Sequence, residues 1–262
     1  MTRNRWGGAV WMVVAVLAAL PLGAQERGVN GPTDPPGTFS ILGFDPETGE
    51  IGAAVQSRVF SVGNGVLWAE AGVGAVATQA IVNVNYGPRA MGMLKMGMAP
   101  KDIIPAVLAG DPDEALGRTA WPKAGRQFAV MNANGEFAAY TGPGATKWAG
   151  DKQGKHCTAQ GNILAGEAVV QGMVDAFESS AKDKDGKPNH ISLRLLAALE
   201  AGQANGGDTR GQQSAAMIVV KKDGGVWLHN DVVLRLQVDD HPEPIKELGR
   251  LVQLAARQRP RR

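Results

Sequence analysis

The run Gly37-Thr38-Phe39-Ser40-Ile41-Leu42-Gly43-Phe44, the turn Asp45-Pro46-Glu47-Thr48-Gly49-Glu50 and the run Ile51-Gly52-Ala53-Ala54-Val55-Gln56-Ser57 mark where the folded domain begins. Two strand-forming runs around a turn that holds proline and glycine read as a β-hairpin. Ahead of them, Gln25 to Gly37 carries Pro32, Pro35 and Pro36 among glycine and polar residues, the composition of an unpacked tether. Thr38 therefore stands at a boundary. In the simplest reading it is the first β-branched residue of a strand. If the Gly37-Thr38 bond is cut, the same residue joins a hydroxyl nucleophile to a free α-amine that can take its proton, one way of activating a weak alcohol.

Upstream of the tether, Arg3 and Arg5 precede the uncharged apolar stretch Ala9 to Leu22, and Leu22-Gly23-Ala24 supplies a small-residue exit. This reads as an export signal over 1–24, cut after Ala24, with 25–37 as a leader or propeptide. A membrane span needs about 20 apolar residues, and this stretch is shorter. No stable membrane insertion is expected after signal removal, and the protein is expected in the periplasm or outside the cell. Residues 38–257 are expected to form one domain, and 258–262 a solvated basic tail.

The chain carries 27 Lys+Arg against 25 Asp+Glu. Without the charges of residues 1–37 the balance is 24 against 23, which gives no electrostatic case for nucleic acid. Cys157 is the single cysteine, so an internal disulfide is impossible. It reads as a small buried residue rather than a nucleophile. Four scattered histidines without metal-ligand spacing argue against a zinc site. Neither a metal nor a cofactor is invoked.

Further strands are expected at Val66 to Glu70 and Gly72 to Gln79, then helices from near Tyr86 and from Pro100 to near Gly110. Gln127 to Met131 and Glu136 to Tyr140 flank Asn132-Ala133-Asn134-Gly135, a second hairpin. Helices are expected over Glu167 to Ala181 and Ser192 to Gln203, strands over Ala215 to Val220, Val226 to His229 and Val232 to Val238, and a closing helix over Pro244 to Arg257. This order suits antiparallel sheets with helices packed outside, a layered α/β arrangement rather than βαβ units.

Several segments place amide or small residues at strand ends or helix starts, where oxyanion-binding groups are commonly built. They are Gln56-Ser57-Arg58, Thr78-Gln79-Ala80 with Asn83 and Tyr86 beyond it, and Gln160-Gly161-Asn162. Taken singly, each is more often a cap or turn. In Gly206-Gly207-Asp208-Thr209-Arg210-Gly211, Asp208 and Arg210 can pair, and the aspartate could orient the amine of a terminal threonine. An exposed ion pair in a glycine-rich turn is the plainer account. Asp239-Asp240-His241 invites a metal reading, but neighbouring residues seldom converge on one ion.

Thr38-Phe39-Ser40-Ile41, Asp45-Pro46-Glu47-Thr48-Gly49, Ser57-Arg58, Gly72-Val73-Gly74-Ala75-Val76-Ala77-Thr78-Gln79-Ala80 and Tyr86-Gly87-Pro88 resemble the bacterial and archaeal family called domain of unknown function 1028. So do Gln160-Gly161-Asn162, Gly206-Gly207-Asp208, Gln213-Ser214-Ala215 and Val238-Asp239-Asp240-His241-Pro242. The resemblance runs from Thr38 to about Leu251. It implies an N-terminal nucleophile (Ntn) hydrolase relationship and a four-layer αββα sandwich of two mainly antiparallel sheets flanked by helices. More distantly the layout is similar to a proteasome β-subunit.

By that comparison Thr38 is nucleophile and base, Ser57 and Arg58 are its neighbours, and Asp208 supports the amine. Gln79 or Asn162 would hold the oxyanion, with Asn83, Tyr86, Gln160, Gly161 and Arg210 near the substrate, a small amide or peptide-like molecule. A homo-oligomer is expected on the same ground. One departure stands out: no lysine lies between Thr38 and Lys95, where the proteasome pattern needs one. The alternatives are a ligand-binding module that keeps the fold without catalysis, and an oligomeric envelope scaffold.

Overall fold

The structure, a computed structural model, describes residues 37–115, 120–145 and 148–258; the stretches expected to be an export signal, most of a leader and the end of a basic tail lie outside the described residues. The chain runs β1 (Thr38–Asp45), β2 (Glu50–Ser57), α1 (Gly63–Val66), β3 (Leu67–Glu70), β4 (Gly74–Ala80), α2 (Tyr86–Lys95) and α3 (Pro100–Ala109). It continues with β5 (Arg126–Asn132), β6 (Phe137–Thr141), β7 (Trp148–Gln153), β8 (Cys157–Leu164), α4 (Glu167–Ser179), α5 (Ile191–Ala204), β9 (Ser214–Val220), β10 (Val232–Val238) and α6 (Pro244–Gln258).

Among the described residues the strands form two antiparallel sheets, one ordered β10-β9-β2-β1-β8-β7 and the other β3-β4-β5-β6. The sheets face each other. α4, α5 and α6 cover the larger, and α2 and α3 the smaller, which makes four layers in the order αββα. The apolar residues fall into three strata, one for each junction between layers.

Side-chain alternation sorts each strand between those strata. On β1, Phe39 and Ile41 point to the helices, whereas Leu42 points between the sheets. Thr38 and Ser40 share the parity of Leu42 and so face the second sheet. On β4 and β5, Ala75, Ala77, Ala129 and Met131 face inward, which places Gln79 and Gln127 on that face too. The space between the sheets is thus apolar at the hairpin end of β1 and polar at its Thr38 end.

Two expectations on elements need correction. Val226 to His229 is not a strand: Asp223 and His229 take positive φ (51° and 58°), and the Gly225 amide donates to the Asn230 carbonyl at 2.7 Å. The stretch closes the β9–β10 hairpin as a loop and leaves Trp227 and Leu228 exposed. Gln160-Gly161-Asn162 lies inside β8 rather than at a helix entrance. β7, not anticipated, pairs with β8.

Candidate active site

Register brings the site together. Thr38, at the start of β1, sits opposite Ser57 on β2 and Asn162 on β8. The Asp208 loop joins through a bridge to Leu164, just past Asn162. Thr38, Ser57, Asn162 and Asp208 are all buried.

The Gly37-Thr38 peptide is the centre of this arrangement. The Thr38 hydroxyl oxygen lies 3.0 Å from Ser57 Oγ, and Ser57 Oγ donates to the Gly37 carbonyl at 2.5 Å. Because the Ser57 proton is committed to Gly37, the Thr38 hydroxyl is the donor in the first of these contacts. A second donor, Arg210 Nη2, reaches the same carbonyl at 2.9 Å. Arg210 is aimed by Asp208 through two bonds, Nε to Oδ1 at 3.0 Å and Nη2 to Oδ2 at 2.7 Å. The Asp208 side chain is completely buried, so this pair is not the exposed one its glycine-rich surroundings suggest. A Cβ on Gly37 would lie 2.7 Å from Asp208 Oδ2 and 2.9 Å from Arg210 Nη2, so any larger residue ahead of Thr38 must displace this buried pair.

Beneath the threonine lies a buried amide layer. Gln79 Nε2 donates to the Thr38 carbonyl at 3.2 Å and to Gln127 Oε1 at 2.9 Å, while its Oε1 accepts from Ser40 Oγ at 2.6 Å. Gln127 Nε2 in turn reaches the Gly161 carbonyl at 2.8 Å, and Gln160 Nε2 reaches Ser40 Oγ at 2.5 Å. This corrects the expectation that Gln79 donates to an oxyanion, since its amide hydrogens already point at protein acceptors. Its evident work is to hold the backbone of β1 in place. At Gly161, a Cβ would lie 2.3 Å from Leu164 Cδ1 and 3.0 Å from the Thr38 carbonyl oxygen, so a glycine lets β8 approach the site closely.

Of the other expected residues, Arg58 turns to Gln213 Oε1 at 3.4 Å. Asn83 is half-buried and accepts from the Asn85 amide at 3.1 Å. Tyr86 is not at the site. It is fully buried on the outer face of the smaller sheet, stacked edge-on against Phe128, and donates to Asp111 Oδ2 at 2.6 Å. Burial, and then the neighbouring Asp111, push its hydroxyl pKa upward. The three side chains of the suspected metal cluster each hold a different partner: Asp239 takes Ser61 Oγ, Asp240 takes Gln213 Nε2, and His241 Nδ1 takes the Glu243 amide. Cys157 is buried, and burial followed by nearby Glu178 pushes its thiol up to about 12, which leaves it inert.

Sequence reasoning missed Gln127, a polar residue ahead of the apolar run Phe128–Met131 in β5. It also missed a set of strained residues. Ala80, Ile163 and Ser61 have φ of 67°, 55° and 54°. Ala80 follows Gln79 and Ile163 follows Asn162. Such conformations are sparse for side chains with a Cβ and gather at functional sites.

A four-layer αββα sandwich with a buried threonine at the head of a central strand defines the class to which the molecule belongs. The chain is a member of the family described as "Family of unknown function (DUF1028)", whose model matches residues 38–248. Among solved structures it is similar to protein SPO2555 from Silicibacter pomeroyi, of the same family, with 32% identity over 84% of this chain and 89% of that one and a TM-score of 0.70. More distant is Anbu (ancestral beta-subunit) from Yersinia bercovieri, at 11% identity over 85% of this chain and 98% of that one, with a TM-score of 0.34. No curated protein matches the chain.

Proposed function

We propose that this is an exported Ntn-type amidohydrolase that frees its own nucleophile by cutting the Gly37-Thr38 bond. The observation that carries the reading is the continuous path from the Thr38 hydroxyl through Ser57 Oγ to the Gly37 carbonyl oxygen, with Arg210 as second donor on that oxygen. As Thr38 Oγ adds to the Gly37 carbonyl carbon, its proton passes to Ser57, and the Ser57 proton passes to the developing oxyanion. Collapse breaks the C–N bond, returns a proton to the nitrogen and leaves an ester between Gly37 and Thr38 Oγ. Water then hydrolyses the ester to a Gly37 carboxylate and a free Thr38 amine. No lysine is needed in this route.

In the cut chain the Thr38 amine takes the hydroxyl proton during attack on an external amide. Ser57 and Arg210, released from Gly37, are donors for the new oxyanion. Asp208, whose carboxylate lies against the former position of Gly37, is the counter-ion for the protonated amine. The test is treatment of the processed protein with a β-lactone, whose ring opens on an activated hydroxyl, followed by peptide mapping. An ester on Thr38, absent in Thr38→Ala, is the expected result. Labelling only at other residues would contradict the reading.

A further inference from the structure

Beside Thr38 lies a cavity of about 180 Å³. Val59, Val62 and Val66 line it from the segment after β2, Val82 and Val84 from the segment after β4, and Phe60 stands at its rim. Its polar members are Thr38, Gln79 and Ser61. Thr38, Gln79 and Ser61 all have their side chains engaged within the protein, so among the described residues no charged group lines the space. An apolar cavity of about 150 Å³ holds a benzene ring. The space therefore suits one leucine- or phenylalanine-sized group and is too small for an extended ligand.

The cavity wall is a built feature. Ser61 holds its positive φ because its amide donates to the Asp239 carbonyl at 3.0 Å and its hydroxyl to Asp239 Oδ1 at 2.6 Å. Ser214 Oγ ties the same wall twice, donating to the Val59 carbonyl at 2.6 Å and accepting from the Val62 amide at 3.0 Å. This accounts for the Gln213-Ser214 and Asp239 segments, which the chemistry at Thr38 leaves without a role. Two separate segments, the start of β9 and the residue after β10, brace a strained turn and so fix the position of apolar side chains next to Thr38.

We infer that this cavity is the specificity pocket of the site, and that the amide substrate carries a compact, uncharged apolar group next to the attacked carbonyl. The inference rests on the amidohydrolase reading for the identity of the scissile bond, but the pocket itself can be tested without catalysis. The full-length Thr38→Ala chain, which can neither cut itself nor turn over substrate, is titrated with 4-methylpentanamide and with the charged succinamate, followed by amide-resolved NMR.

The expected result is binding of 4-methylpentanamide about 10- to 100-fold tighter than succinamate, with shifts at Val66, Val82 and Val84. Val84→Asp and, independently, Phe60→Asp abolish the preference while keeping the remaining spectrum; both residues are exposed at the cavity mouth. Equal binding of the two amides, or shifts confined to another face, overturns the pocket. If 4-methylpentanamide binds here but the processed wild-type protein does not hydrolyse its anilide, the pocket stands and the amidohydrolase reading falls.

Discussion

Ser57 separates the proposed chemistry from an ordinary strand end. A serine on the last position of β2 has no need to contact the carbonyl of the residue before β1, yet its hydroxyl donates to the Gly37 oxygen while its own oxygen accepts from Thr38. Ser57→Ala is expected to slow cutting of the Gly37-Thr38 bond about 10²- to 10⁴-fold, the usual worth of a positioned proton-transfer group. The melting temperature should change little, and a time course of intact mass reads the rate. Cutting at the wild-type rate would remove Ser57 from the mechanism. At this scale Thr38, Ser57, Asn162, Asp208 and Arg210 could be singled out as polar residues at strand ends and in a glycine-rich loop, and strand register places them near one another. Tyr86 misled because a buried tyrosine needs a partner for its hydroxyl as much as a substrate-binding one does. Gln127 was hidden because an amide at the sheet interface has no local pattern to announce it.

At the scale of elements, the β1–β2 and β5–β6 hairpins were readable from turn residues and α3 from its proline start. β7 was not, because Trp148-Ala149-Gly150-Asp151-Lys152-Gln153 is half-buried at a sheet edge and shows neither β-branched enrichment nor clean alternation. The connection from α3 to β5 is pinned by a device that the sequence also concealed. Asp111 accepts from Tyr86 and from Arg126 Nε at 3.0 Å, with both members of the ion pair almost fully buried. Burial raises the Asp111 pKa, but hydrogen bonds from Tyr86 and the Asp113 amide, with Arg126, outweigh it and bring it to about 2. The folded value lies below that of an unfolded aspartate, about 4. Its stabilisation is therefore present above about pH 4 and lost as the pH falls toward the folded value. Asp111→Asn, which strands the Arg126 charge, is expected to cost about 3–5 kcal/mol at neutral pH. The deficit, read from urea midpoints, should shrink below about pH 4 as the wild type loses the same charge. A deficit independent of pH would show that the carboxylate charge is not what holds this connection.

For the whole molecule, the order of the larger sheet matters most. β8 reaches the side of β1 from more than a hundred residues away, and β9 closes on β2 from farther still. Periodicity shows which face of a strand is apolar, but not which strands become neighbours. The family resemblance implied the four-layer sandwich, but the order of strands within each sheet was not read from the sequence. That order puts Thr38 between Ser57 and Asn162 with the Asp208 loop behind it, and so turns four distant segments into one site. Between the sheets the sandwich is polar at the Thr38 end of β1 and apolar at the other, so the buried polar groups of the candidate site gather at one end.

The most direct measurement is the N-terminal sequence and intact mass of the protein purified from an export-competent host, alongside Thr38→Ala. The account predicts a mature chain that begins at Thr38, and a variant in which the Gly37 junction stays whole. A stable wild-type chain that begins near Gln25 and keeps its leader would contradict it.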